Sequence, residues 1–408
     1  MIFTGQRPIG APTIGLPLIG QTIQLPKVES APARNEAIPE ASLPRALNFV
    51  ADLSGCGYWR MIWPEHLLNA YQKFCITSTN LMLGMESVFA GVKSVRIQRQ
   101  AADHQVEFVK FIKQCSVKYG FHLIYEIDDV VFYEDIPHYN RFRTGFVDDK
   151  IRQNVIDIVN MCDELTTTNH YMANYYKEKT GQKNVTVIPN YPPRFWIGNR
   201  FNERKIRDNY DKYRKKPRIA WCGSGAHFDV DNRIKQKDDF YPLLEIVNKT
   251  VDKYQWVFYG GLPLSLIPLL KQGKIEFHHW SKLYEYPDKV ESLNANLFVA
   301  PLQDNVFNRG KSDIKFVEGC CLGIPTICQN MCTYSNAILK FTDGQSLINQ
   351  IESALQSKSH YMKLVEKHWA VGQRRFLEDH LEEYVELYEH PYGSEKRIKL
   401  AQTQKTAI

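Results

Sequence analysis

The segment GKSDIKFVEGCCLGIPTI, residues 310–327, places a lysine, a helix start and a glutamate in that order. Its first three letters close a phosphate-binding P-loop, but GxxxxGK[ST] needs a glycine at position 305, and the chain has Asn305 there. The strand GIPTI that follows the helix at once also departs from a triphosphatase loop. The strand LFVAP ends at Pro301, a polar loop follows, and Ser312 or Asp313 caps a helix whose first free amides point out of the loop. A pyrophosphate fits at those amides, with Lys311 or Arg309 supplying positive charge. Glu318, between one and two turns further on, offers its carboxylate to both hydroxyls of a ribose. This spacing suits a nucleoside diphosphate.

Three further groups have the residue types for the rest of such a site. The turn GSGAH follows the strand RIAWC directly, and Gly223 with Ser224 allows close backbone approach to a phosphate. His227 is either a contact to the same ligand or an exposed loop histidine. Gly55 and Gly57 bracket Cys56 in a loop before a helix, followed by Tyr58 and by Arg60, either a second cation for the diphosphate or a surface or core-edge arginine. Asp128 and Asp129 close the apolar strand FHLIYEI, where α/β sites collect reactive groups. One of these carboxylates can take a hydroxyl proton as general base or orient a substrate. The plain alternative is that Asp129 caps the next segment while Asp128 pairs with Arg99.

The elements that position these residues alternate regularly. Ala46 to Asp52 reads as a buried strand, Pro64 opens a helix, and Ser94 to Gln98 is the next strand. Asp103 to Tyr119 is a helix stopped by Gly120, and Lys150 to Cys162 carries another helical stripe before the strands ELTTT and NVTVIPN. A second series starts at Arg218 with RIAWC, QWVFYGG, KIEFHHW and LFVAP, each followed by a helical segment. Both series predict doubly wound α/β domains with parallel sheets. The domain plan is an arm at 1–45 with seven prolines, a first domain at 46–193, a basic aromatic linker at 194–217, a second domain at 218–358 and a helical region at 359–408 that crosses back over the first.

Composition fits this plan. The 408 residues suffice for two domains, and 44% hydrophobic with 24% charged residues is ordinary for a globular chain. Nine scattered cysteines without a CxxC pair, and no signal peptide ahead of them, read as a reduced cytoplasmic protein, and no metal site is expected. No apolar run of spanning length occurs, so no membrane partner is expected. Between Arg194 and Arg218 ten Lys or Arg face three acids, with Phe195, Trp196, Phe201, Tyr210 and Tyr213 interleaved. That is either a solvated helix face or a surface that tracks a polyanion.

The segment KSDIKFVEGCCLGIPTI, with VIPNYPP, RIAWCGSGAHFDVD and the EIDD strand end, resembles nucleotide-sugar glycosyltransferases of the two-Rossmann GT-B type, most of all the family 1/4-like branch often encoded by bacteriophages. The likeness runs from about Ala46 to the C-terminus. It implies a cleft between two Rossmann-like domains, an enzyme of the transferase class using a nucleotide-sugar cosubstrate, taken as a UDP-sugar, and no other cofactor. It implies that Glu318 binds the donor ribose, that Lys311 neutralises the diphosphate, and that Gly55, Gly57, Tyr58 and Arg60 face the cleft from the acceptor side. Many retaining members hold the donor sugar with a glutamate eight residues before the ribose ligand, where this chain has Gly310. The basic aromatic stretch and the phage-like branch suggest 5-hydroxymethylcytosine in phage DNA as acceptor, in the host cytoplasm. The alternatives are a polysaccharide or small-glycan acceptor, and a non-catalytic DNA-binding protein of the same shape.

Overall fold

The computed structural model describes residues 45–71, 74–229, 237–394 and 397. Apart from Arg45, the proline-rich arm lies outside them. The first domain holds a six-stranded parallel sheet of β1 (Arg45–Phe49), β2 (Cys75–Thr79), β3 (Val92–Gln98), β4 (His122–Glu126), β5 (Glu164–Thr167) and β6 (Val185–Val187), in the order β2-β1-β3-β4-β5-β6. The second holds β7 (Arg218–Gly223), β8 (Gln255–Gly260), β9 (Ile275–His279), β10 (Leu297–Ala300), β11 (Thr326–Gln329) and β12 (Leu339–Phe341), in the order β12-β11-β10-β7-β8-β9 and again parallel throughout. Parallel sheets are covered by crossover helices on both faces, which is why β3 is buried from Ser94 to Gln98 and β10 along its whole length.

Strand order reverses between β1 and β3 in the first sheet and between β7 and β10 in the second. Crevices open outside the carboxyl ends of the strands at such points, and ligands bind there. The turn after Gly223 and the pair Asp128 and Asp129 follow such ends directly, while Arg309, Lys311 and Glu318 lie on the segment that follows β10. The edge strands β2 and β12 were not expected: CITST is half polar and LKF is three residues long, so neither carries a period strong enough to read.

The first helix also differs from expectation. The chain is helical from Gly55 to Tyr71, with a wide π turn over Tyr58–Ile62, and Pro64 lies inside it. Proline has no amide hydrogen and crowds the carbonyl four residues back, here that of Arg60. The wide turn accommodates this: the Trp63 amide donates to Tyr58 five residues back, and the freed Arg60 carbonyl accepts from Arg96 Nη1 at 2.9 Å.

Among the described residues, the C-terminal helical region is broken after Gln373. Lys358–Gln373 packs on the helix Ile314–Leu322 of the second domain. The chain then turns, the Leu377 amide donates to Pro192 O at 3.0 Å, His380 stacks on Tyr191 at 3.8 Å, and Leu381–Glu389 lies on the first domain, where Tyr388 donates to Asn48 Oδ1 at 3.0 Å. One buried apolar cluster takes in Trp63, Tyr286, Phe316 and Tyr384, so both domains and this return share a core.

Candidate active site

On the second domain the site is built at the carboxyl ends of β7 and β10 and on the helix Ile314–Leu322. Neither candidate cap acts as one. Asp313 occupies the cap position, but its carboxylate is held by the Arg375 fork at 2.8 and 3.0 Å, while Ser312 Oγ accepts from Asn190 Nδ2 at 3.0 Å. The helix start thus has no side-chain cap over its amides. Glu318 is 9% exposed, and its Oε2 accepts from the Tyr286 hydroxyl at 2.8 Å. Burial pushes its carboxyl up to about 7, against the pull of the Tyr286 hydrogen bond and of Lys315.

Lys315 is the residue that sequence reasoning missed. Its Nζ donates to Cys222 O at 2.6 Å and sits 4.6 Å from the Trp221 ring centroid. Burial lowers its ammonium to about 8. A Cβ at Gly223 would lie 2.3 Å from that Nζ, so Gly223 is bare because Lys315 reaches over it. Lys311, Lys315 and Glu318 recur at steps of four and three, one face of a helix. That spacing was the available signal.

The other donor-side candidates divide. Arg309 forms an exposed fork with Asp304 at 2.6 and 2.9 Å, so of the two cations considered, Lys311 is the one that faces the first domain, its Nζ 4.0 Å from Asp129 Oδ1. Ser224 Oγ accepts from the Ala226 amide at 3.3 Å and closes the turn. His227 is not an exposed loop residue: it is buried, with Nδ1 2.8 Å from Asp239 Oδ2. Burial, with the charge of Lys315, pushes its imidazole down to about 4 despite Asp239. Asp239 Oδ1 in turn accepts from Tyr139 of the first domain at 2.8 Å, from Asn308 Nδ2 at 2.6 Å and from the Gln303 amide at 2.8 Å. No local pattern around Tyr139, Asp239 or Asn308 announces this inter-domain knot.

On the first domain, Gly57 is required because a Cβ there would lie 1.9 Å from Asp52 O, whereas a Cβ at Gly55 meets nothing within 4 Å. Tyr58 sets its ring edge against Tyr284 of the second domain, centroids 5.7 Å apart. Arg60 corrects an expectation. It is wholly buried, donating to Glu126 Oε1 at 2.6 Å, Ile188 O at 2.6 Å and Asn190 Oδ1 at 2.9 Å, and Arg96 pairs with the same glutamate. A guanidinium so engaged, with no exposed surface, holds β4 to the first helix and does not present a cation to a diphosphate. Asp128 lies 3.4 Å from Arg99 Nε, as the plain alternative had it, whereas Asp129 faces Lys311.

The two halves meet tightly around the opening motif. Asn169 Nδ2 donates to the carbonyls of Gly310 and Lys311, each at 3.0 Å. A Cβ at Gly310 would lie 2.7 Å from Met172 Sδ and 3.0 Å from Val130 Cγ2, so the place of a sugar-holding glutamate is filled by the first domain. The basic aromatic stretch is likewise built into the structure. Trp196 and Tyr210 are buried, Phe201 stacks on Trp369 at 4.1 Å, and Phe195 alone of the five rings is exposed. Arg194 pairs with Asp379, Arg200 with Asp288, Lys205 with Glu291, and Arg218 with Glu276. Four of the five rings and four of the ten basic residues are thus taken up in internal contacts, while Arg204, Lys212, Arg214 and Lys215 stay exposed. Among the described residues no group of three or more His, Cys, Asp or Glu is placed to hold a metal ion, and no helix is long and apolar enough to cross a membrane.

Two doubly wound domains facing at their strand ends match known structures over most of the chain. Anabaena HepE in complex with UDP superposes with a TM-score of 0.57 over 84% of this chain and 98% of that one, at 8% identity. A glycosyltransferase from Rickettsia africae gives 0.57 over 87% and 100%, at 12% identity. The chain has the GT-B fold. HepE has also been solved with UDP-glucose, and that structure superposes at 0.55 with 9% identity. No protein-family model matches the sequence, and no curated protein matches it.

Proposed function

We propose that this chain is a glycosyltransferase that moves a sugar from a nucleoside-diphosphate sugar, a UDP-sugar by preference, to an acceptor hydroxyl. The observation that carries the reading is the helix face of Lys311, Lys315 and Glu318 at the β7/β10 switch point of a GT-B fold. Glu318 takes the ribose, the two lysines and the uncapped helix start take the diphosphate, and charge building on the leaving group is met by groups already in place. The UDP and UDP-glucose bound by the HepE neighbours support the choice of nucleotide. As acceptor we favour a glycan over hydroxymethylated DNA. Asp52, Asp128 and Asp129 gather at the acceptor-side strand ends, where carboxylates suit sugar hydroxyls and oppose a phosphate backbone.

The test is diphosphate release from a panel of UDP-, GDP- and ADP-sugars, with glycan acceptors in one arm and hydroxymethylcytosine DNA in the other. UDP binding that is lost in Glu318→Ala, with transfer to a glycan, is the expected result. A wild type that binds no nucleotide diphosphate, or a Glu318→Ala variant that binds it unchanged, refutes the donor site. A mass increase in the DNA arm alone would return the acceptor to DNA.

A further inference from the structure

The switch point of the first sheet, between β1 and β3, carries an arginine in an unusual backbone state. Arg99 follows β3 with φ of 46°; among the described residues Asn294 is the other non-glycine with positive φ. Asparagine tolerates this region through its short polar side chain, while an arginine held there is strained. The backbone is pinned on the sheet side, since the Arg99 amide donates to Glu126 O at 3.0 Å. The guanidinium spans the crevice: Nη2 donates to Asp52 Oδ2 at 2.5 Å, and Nε lies 3.4 Å from Asp128 Oδ1. Asp52 is itself fixed, because its Oδ1 accepts from the Ser54 amide at 2.9 Å, the Ser54 hydroxyl at 2.5 Å and the Gly57 amide at 3.2 Å.

The two adjacent aspartates at the end of β4 are thereby made unlike. The Asp128 side chain is 9% exposed and turned to Arg99, whereas that of Asp129 is 33% exposed and lies 4.0 Å from Lys311 of the donor half. The Asp129 backbone is held by the Tyr176 hydroxyl, which donates to its carbonyl at 2.8 Å.

We propose that Arg99 is a positioning residue that divides this pair: it fixes Asp128 as its own partner and leaves Asp129, across from Lys311, as the carboxylate that takes the acceptor proton. The proposal rests on the glycosyl-transfer reading. In the step, the acceptor oxygen bonds to the anomeric carbon while the bond from that carbon to the diphosphate breaks. The electron pair leaves on the diphosphate between Lys311 and Lys315, and the hydroxyl proton passes to Asp129.

The charged and titratable groups that face Asp129 are Lys311, Asp128, Arg99 and Tyr176, with Asp52 and Cys56 around Arg99. Burial raises the Asp129 carboxyl and Asp128 raises it further, while Lys311 and Arg99 lower it, leaving it above the usual aspartate range. Burial and the neighbouring carboxylates push the Cys56 thiol well up, so it offers no competing thiolate.

The two partners act on Asp129 with opposite sign, which gives the test. The titration of Asp129 is followed by carbon-13 NMR of carboxyl-labelled protein, assigned with Asp129→Asn, and the acid limb of kcat/KM is followed in parallel. Arg99→Asn, which keeps a residue suited to positive φ and removes the charge, is expected to move both upward in pH. Asp128→Asn is expected to move both downward. Asp129→Asn should lower kcat by about 100-fold or more, and Asp128→Asn by less than about 10-fold. Shifts of the same sign, no shift, or a greater loss in Asp128→Asn than in Asp129→Asn overturns the proposal. Arg99→Lys keeps the charge and should leave the titration in place, which guards against a folding defect in Arg99→Asn. Because the titration needs no substrate, and Glu318→Ala should remove donor binding without moving it, a failed donor reading is distinguishable from a failed role for Arg99.

Discussion

Glu318 and Lys315 lie one helical turn apart, and burial brings their titrations close together, the carboxyl raised to about 7 and the ammonium lowered to about 8. A carboxyl raised from its ordinary 4.5 favours folding while protonated, and that contribution fades as pH climbs through about 7. Glu318→Gln, which is never charged, should therefore be more stable than the wild type at pH 8, on the order of 1–3 kcal/mol, with the gap closing below pH 4.5. Denaturant unfolding at the two pH values measures this, and an equal gap at both would contradict it. Lys315 gives a second expectation. A bound diphosphate favours the ammonium, so UDP binding between pH 8 and 9 should take up protons, read by calorimetry in buffers of different ionisation enthalpy. Lys315→Met should abolish the uptake and weaken UDP binding about 10- to 100-fold.

At the scale of elements, the first helix and its loop make the sharpest contrast. Gly57→Ala forces a Cβ against a backbone carbonyl and should destabilise by about 1–3 kcal/mol in thermal or denaturant unfolding, whereas Gly55→Ala, with open space around it, should be close to neutral. The regular elements were legible because their signals are local. The stripe from Asp103 to Tyr119 and the Gly120 stop coincide with the observed helix, whose capping glycine has φ of 74°. What could not be read depends on distant partners. Arg60 looked available for a diphosphate because Glu126 and Ile188 are 66 and 128 residues away, and nothing near Arg60 in sequence announces them. Tyr139, Asp239 and Asn308 look ordinary alone and acquire meaning when the domains bring them together. Lys315 was the legible residue passed over, hidden between the two charged positions that drew attention to its helix.

For the whole molecule, the polar bolts between domains set how the cleft opens. The Tyr139 hydroxyl reaches Asp239, Asn305 and Asn308, at 2.8, 3.1 and 3.0 Å, so Tyr139→Phe leaves buried polar groups short of a partner. The cost should be about 1–3 kcal/mol, and X-ray scattering should show a larger average radius of gyration than in the wild type, reduced again by UDP. An unchanged radius would mean that the apolar contacts of Gly310 with Val130 and Met172 suffice to hold the cleft. The returning C-terminal helix has a consequence for biosynthesis. Tyr388 bonds Asn48 on β1 across 340 residues, and Tyr384 lies over Arg96. At roughly 5–20 residues per second, β1 waits on the order of 20–70 s for that partner, with the Arg60, Glu126 and Arg96 cluster lacking its aromatic cover. Of the two domains, the one synthesised first is thus the one completed second, and until then β1 lacks the cover that Tyr384 and Tyr388 supply.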